Sequence, residues 1–175
     1  MHEILERLES ELATVLHGLD ARQAQLTPKL HPEKWNIQQI VEHLLLTYRS
    51  TAVLLQTRID KGSPTKARPM PQQRAAQFLV ITLGHFPPGR LSPPEVSPTL
   101  PASLRNGEEL TRRVHDDLVG MDYAACAAEA LFGTGRCASH MALGPLTIPQ
   151  WRQFHLIHGQ HHVRQIRRIR QNYQA

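Results

Sequence analysis

The chain reads as an all-α protein, a four-helix bundle with extra short helices and one long Pro-rich loop. Three observations predict it. Apolar residues recur at helical spacing through long segments at both ends and in the middle of the chain. No run of alternating apolar and polar residues bounded by turns makes a convincing strand, and nothing repeats at a fixed period. The 175 residues, 41% of them apolar, suit one domain over 1–175 with one core.

The first helix, His2 to about Gly18, places Ile4, Leu5, Leu8, Leu12, Val15 and Leu16 on one face, and Gly18 stops it. A turn-rich link, LTPKLHPEKW, leads to Asn36, which caps a second helix with Gln39 at the third position. That helix runs to about Lys61, where Gly62, Ser63 and Pro64 end it. Its main apolar face holds Ile37, Val41, Leu44, Tyr48, Leu55 and Ile59. His43 lies off this stripe with Asn36, Ile40, Thr47, Ser50 and Leu54, a placement that fits a residue facing a partly polar cavity and equally one at a helix edge. Pro71 opens a third helix, PQQRAAQFLVITLGHF, that stops at Pro87; its Phe78–Leu83 run is apolar nearly all round, which predicts burial.

Residues 87–103 carry six prolines and no helical period, so they form an extended surface excursion of PPII or turn character. A loop of this length borders a site or is mobile, and it supplies the crossover that an up-down-down-up connection needs. Asn106 starts a helix through about Val119, with Glu108 and Glu109 in the first turn where the macrodipole favours them. Asp122 then caps a short helix, YAACAAEALF, ending at Gly133. The connector GTGRCASHMALGPL changes direction at its Gly and Pro residues and brings His140 close to the final helix.

That helix carries the chemistry. Thr147 caps it, Pro149 suits its first turn, and Gln150 completes a capping box. At 100° per residue, Trp151, Phe154, His155, His158, His162, Gln165 and Ile169 fall on the inward side, with His161 at its edge. Inward imidazoles must have each ring nitrogen satisfied by a partner or by a metal. His158 and His162, at i and i+4, lie one above the other and can share one divalent cation.

The formal charge of +5 permits nucleic-acid or acidic-membrane contact without demanding it. Cys126 and Cys137 show neither a CxxC nor a zinc-ribbon spacing. The acidic, amphipathic start MHEILERLESELATVL lacks a cationic n-region and an apolar h-region, and no stretch reaches 18 apolar residues. A soluble cytoplasmic protein without a membrane partner is expected.

Two motifs resemble a known family. Lys34-Trp35-Asn36-Ile37-Gln38-Gln39-Ile40 with His43-Leu44, and His140, Gly144-Pro145-Leu146-Thr147, Trp151, His158, His161-His162 and Arg164-Gln165-Ile166, are similar to the DinB-like superfamily. The second motif is the more specific, and the helix layout matches along the whole chain. The resemblance implies a four-helix bundle of DinB-like type that binds a divalent metal through one histidine on the second helix and two on the last. At the matching positions these are His43, His158 and His162. Characterised relatives include thiol-dependent S-transferases and isomerases that use low-molecular-weight thiols, often as dimers. A small-molecule substrate, a thiol among the candidates, and a homodimer are therefore implied.

Three neutral imidazoles without a carboxylate would leave Zn2+ or Ni2+ with open positions for water or a thiol, as a catalytic site requires. There is no HExxH, because Gly159 follows His158, so a base of that type is absent. Gln165 can orient a ligand or a water, while His155, His161 and His140 are placed to support the ligands or touch substrate. The expected function is metal-dependent thiol S-transfer or hydrolysis. Two alternatives compete. One is a catalytically silent metal-binding or dimerisation module, with Leu156, Gly159, Val163 and Ile166 as a flank that packs against another helix or another subunit. The other, less favoured, is nucleic-acid binding through Arg164, Arg167, Arg168 and Arg170, which spread around an outer arc and form no narrow stripe.

Overall fold

A computed structural model describes residues 1–87 and 92–174. Five α-helices dominate it: α1 (Glu3–Leu16), α2 (Ile37–Asp60), α3 (Pro71–Gln77), α4 (Gly107–Phe132) and α5 (Ile148–Tyr173). A two-stranded hairpin, β1 (Ala138–His140) and β2 (Gly144–Leu146), precedes α5. The three long helices α2, α4 and α5 each start with a reciprocal capping box. Asn36 pairs with Gln39, Asn106 with Glu109 and Thr147 with Gln150, each side chain accepting from the other residue's backbone N–H.

Side-chain pairings along the helices set their directions. Leu8 packs at Gly159, Glu11 accepts from Gln160, and Arg170 donates to the Val15 and His17 carbonyls, so α1 and α5 run parallel. Gln38 accepts from the Arg105 backbone N–H, Glu42 pairs with Arg113 and Arg49 with Asp117, so α2 and α4 also run parallel. The two pairs oppose each other: the His2 backbone N–H donates to Asp122 while Glu9 meets His115, and His43 meets His158 while Thr51 meets His155. A first core fills this bundle with Leu5, Leu8, Leu12, Leu44, Tyr48, Leu118 and Ile166 among others. A second lies towards the hairpin, around Leu55, Val80, Ala128, Leu146, Trp151 and Ile157.

The structure corrects three sequence expectations. The third helix is α-helical only to Gln77; it then widens to a π-turn over Phe78–Thr82, with the Leu83 N–H bonded to the Phe78 carbonyl, and ends at Gly84 (φ 65°), ahead of Pro87. Its apolar run is not buried as a whole. Val80 is 4% exposed, but Phe78 and Leu83 are 58% and 60% exposed, because this segment packs one face on the outside of the bundle.

Asp122 does not cap a second short helix, since α4 continues unbroken through it. Its carboxylate is taken by the His2 N–H and by Arg152, and the buried Met121, Ala124, Ala125 and Ala128 hold the helix against Gly120, whose propensity cost is about 1 kcal/mol. The connector holds a hairpin where no strand is expected, pairing Ala138 with Leu146 and His140 with Gly144. Three-residue strands, one of them Gly-Pro-Leu, are too short to show alternation. Of the two partners expected for the Leu156, Gly159, Val163 and Ile166 flank, another helix or another subunit, it is a helix of the same chain that packs there: α1 covers the flank, and a Cβ at Gly159 would run into the Leu8 side chain.

The Pro-rich excursion contains a 3-10 turn at Pro94–Val96, and its residues 88–91 lie outside the described residues. Among the described residues no helix is long and apolar enough to cross a membrane.

Candidate metal centre

Two helices bring three imidazoles to one point. On α5, the i, i+4 spacing stacks His158 and His162, and the capping box fixes where that stripe begins. From the opposing α2, His43 points between them. His43 Nε2 lies 3.2 Å from His158 Nε2, and His162 Nε2 lies 3.0 Å from the same atom. One ligand atom from each ring falls within 4.8 Å of the others, and all three side chains are buried. Zinc–nitrogen bonds of about 2.0–2.1 Å at tetrahedral angles set nitrogens roughly 3.3 Å apart, so the spacing suits one ion.

The outer nitrogens decide which inner ones carry protons. His43 Nδ1 is 2.7 Å from the Val96 carbonyl, an acceptor only, so Nδ1–H donates and Nε2 keeps its lone pair. His162 Nδ1 is 2.8 Å from Gln165 Oε1, and the same logic frees its Nε2. Both lone pairs then face His158 Nε2, which can give a proton to one of them and not to both. The three rings hold more acceptors than donors, and a divalent cation satisfies the excess. His158 Nδ1 is buried without a hydrogen-bond partner among the described residues. The His158 ring stacks on Phe154 (5.5 Å, 13°) and meets Phe86 at 5.0 Å.

Electrostatics favours the same state. Burial pulls the pKa of His43 down, against the bond to Val96, which raises it. His158 is driven well below its ordinary value by burial and then by His162 and His43, and His162 falls to about 3, mainly by burial. All three rings are neutral at pH 7, as ligation requires.

A family profile of the DinB superfamily matches residues 4–166. The chain belongs to the DinB superfamily. No curated protein and no solved structure matches it. The span matched by the DinB superfamily contains all three converging histidines and ends at Ile166, three turns past Phe154 on α5.

Other residues singled out from the sequence divide around this DinB-superfamily centre. Gln165 stands at its edge and bridges two rings, its Oε1 on His162 Nδ1 and its Nε2 2.9 Å from His161 Nε2. His161 is half-buried against Phe86 at 5.1 Å, with its pKa lowered by burial and by Arg164 and Arg168. His155 stays apart from the trio: its Nε2 meets Thr51 Oγ1 at 3.1 Å and its ring lies against Tyr48 and Trp151. Burial, then His140, pulls it to about 3. His140 Nδ1 accepts the backbone N–H groups of Ala142 and Leu143, closing the hairpin turn, and its ring packs on Phe154. Arg164, Arg167 and Arg168 are exposed, whereas Arg170 caps the end of α1.

Sequence reasoning missed the Val96 carbonyl, Phe86 and the position of Trp35, whose ring lies 5.0 Å from His43. A backbone carbonyl leaves no residue-type signal. The only hint was that a long Pro-rich segment tends to border a site.

Proposed function

We propose that this DinB-superfamily chain holds one divalent cation, Zn2+ or Ni2+, through Nε2 of His43, His158 and His162. In this reading it is a metal-dependent enzyme acting on a small molecule by thiol S-transfer or hydrolysis. The observation that supports it best is the convergence of three buried, neutral imidazoles in which the inner nitrogens of His43 and His162 are both acceptors and His158 Nε2 can donate to only one of them. Once bound, such a cation supplies Lewis acidity that lowers the pKa of a water or thiol.

The chain's own residues do the positioning. The Val96 carbonyl and Gln165 hold His43 and His162 with the proton on the outer nitrogen. Trp35, Phe86 and Phe154 form aromatic walls that exclude water and strengthen every electrostatic interaction inside. The proposed setting is the cytoplasm, where the free Cys126 and Cys137 stay reduced. A homodimer would have to use a face other than the Gly159 flank, which α1 covers.

Elemental analysis of tag-free protein tests the centre. The parent is expected to carry about one equivalent of metal, and His43→Ala and His158→Ala are each expected to lose it. Metal retained by both variants, or absent from a metal-replete parent, would sink the assignment. A screen of electrophiles with and without low-molecular-weight thiols then separates transfer from hydrolysis: turnover that needs the thiol supports the former.

A further inference from the structure

One side chain beside the centre has a geometry that the metal reading does not use up. Gln165 lies three residues after His162 and four after His161, so a single amide reaches both rings across one helical turn. Its two ends are chemically different. The carbonyl oxygen only accepts and the NH2 group only donates.

We propose that Gln165 is a positioning residue whose one amide sets the tautomers of His162 and His161 together. With Oε1 2.8 Å from His162 Nδ1, that nitrogen must carry the proton, and Nε2 of His162 is left free of one. With Nε2 of the amide 2.9 Å from His161 Nε2, the imidazole nitrogen must be the acceptor, and the proton of His161 sits on Nδ1. The opposite orientation of the amide reverses both assignments at once. It would place a proton on His162 Nε2, 3.0 Å from His158 Nε2 and inside the cluster. The two rings are therefore coupled: the amide orientation that opens His162 towards the cluster also closes His161 Nε2 as a competing ligand. It leaves His161, next to Phe86 on the wall, presenting an N–H donor through Nδ1.

This inference concerns tautomers and can be read without a metal. Only its consequence for metal affinity rests on the proposed function. Histidine-selective 15N correlation spectra of metal-free protein at pH 8, where the rings are neutral, report which nitrogen of each ring is protonated. The signals are assigned with His161→Ala and His162→Ala. In the parent, both rings are expected as the Nδ1–H form. Gln165→Glu keeps an acceptor for His162 and replaces the donor to His161 with an acceptor, so His162 is expected to stay Nδ1–H while His161 switches to Nε2–H. Gln165→Leu, at a half-exposed position where folding is not at risk, is expected to release both rings into tautomer mixtures.

Zinc competition titrations should follow the His162 tautomer: affinity within a few-fold of the parent for Gln165→Glu, and about 10–100-fold weaker for Gln165→Leu. Nε2–H on His162 in the parent, or both tautomers unchanged in Gln165→Leu, would overturn the proposal. Predicted tautomers in a parent that takes up no metal would uphold the role of the amide and defeat the metal reading instead.

Discussion

Two polar clusters face inward from α5, and they solve the same burial problem in opposite ways. Near the start of the helix, Arg152 is 4% exposed and closes every contact with a partner of the right kind. Its Nε donates to Asp122 at 3.1 Å, Nη1 to Glu129 at 2.7 Å and Nη2 to the Cys126 sulfur at 3.3 Å. Burial works against its charge, but bonds to the two carboxylates hold it protonated. Asp122 also accepts the His2 N–H, so this cluster ties α5 to α4 and to the start of α1. Further along the helix, the acceptor nitrogens of His43 and His162 both face His158 Nε2, which has at most one proton to give. Donors matched to acceptors make a clamp. Acceptors in excess of donors make a place for a cation.

His155, between the two, shows that burial alone is not enough. It is 1% exposed and its pKa falls as far as that of His162, yet its Nε2 is engaged by the Thr51 hydroxyl and it is not one of the three converging rings.

The contrast breaks or sharpens under substitution. The largest effects are expected when each cluster loses its central member. His158→Ala should weaken zinc binding by more than about 100-fold, beyond the effect of losing a residue that merely orients a ligand. Arg152→Met should leave metal content at the parent level while costing about 3–5 kcal/mol in urea denaturation, because two carboxylates lose their buried partner. Folded Arg152→Met protein without metal would show that the clamp and the centre are one unit.

Acid is next. In the unfolded chain histidines titrate near 6.5, whereas native His155 and His162 resist protonation until about 3. The unfolded state therefore binds more protons in between. Stability of the metal-free protein is whole above about 6.5 and is lost as pH falls from there towards 3, by several kcal/mol in all at about 1.4 kcal/mol per pKa unit. Urea midpoints measured between about pH 7 and 4.5 isolate the histidines from most carboxylates. A flat profile over that window would contradict the buried neutral rings.

On the apolar flank of the same helix, Gly159→Ala should destabilise by about 1–3 kcal/mol through overpacking against Leu8, with part of the loss recovered when Leu8→Ala is added. The smallest effect is expected from Thr51→Val. It removes the partner of His155 Nε2 and should cost about 1 kcal/mol with metal content unchanged, which would confirm that His155 stands outside the centre.

Much of this was legible in the residues. The caps at Asn36, Asn106 and Thr147 mark the starts of α2, α4 and α5 to the residue, because a side chain bonding its own helix end is a local event. The inward stripe from Trp151 to Ile169 follows from helical geometry, and all but Gln165 among its predicted members are buried. The π-turn after Gln77, the continuity of α4 through Asp122 and the hairpin before α5 were not legible. Each depends on what a neighbouring element offers: an outer face with one side covered, a buried arginine, or a short partner strand.

The centre divides along the same line. Sequence by itself determined that His158 and His162 stack, since 3.6 residues per turn leave no other arrangement on a helix. It also placed Gln165 within reach of both His161 and His162. Helical periodicity did not place His43: the family resemblance named it, and tertiary structure brings it from the opposing α2, 115 positions away, and sets the Val96 carbonyl behind it. The periodicity of one helix cannot specify which residue of another it will meet. That is decided by packing of the two cores and by where the Pro-rich crossover lets the chain return.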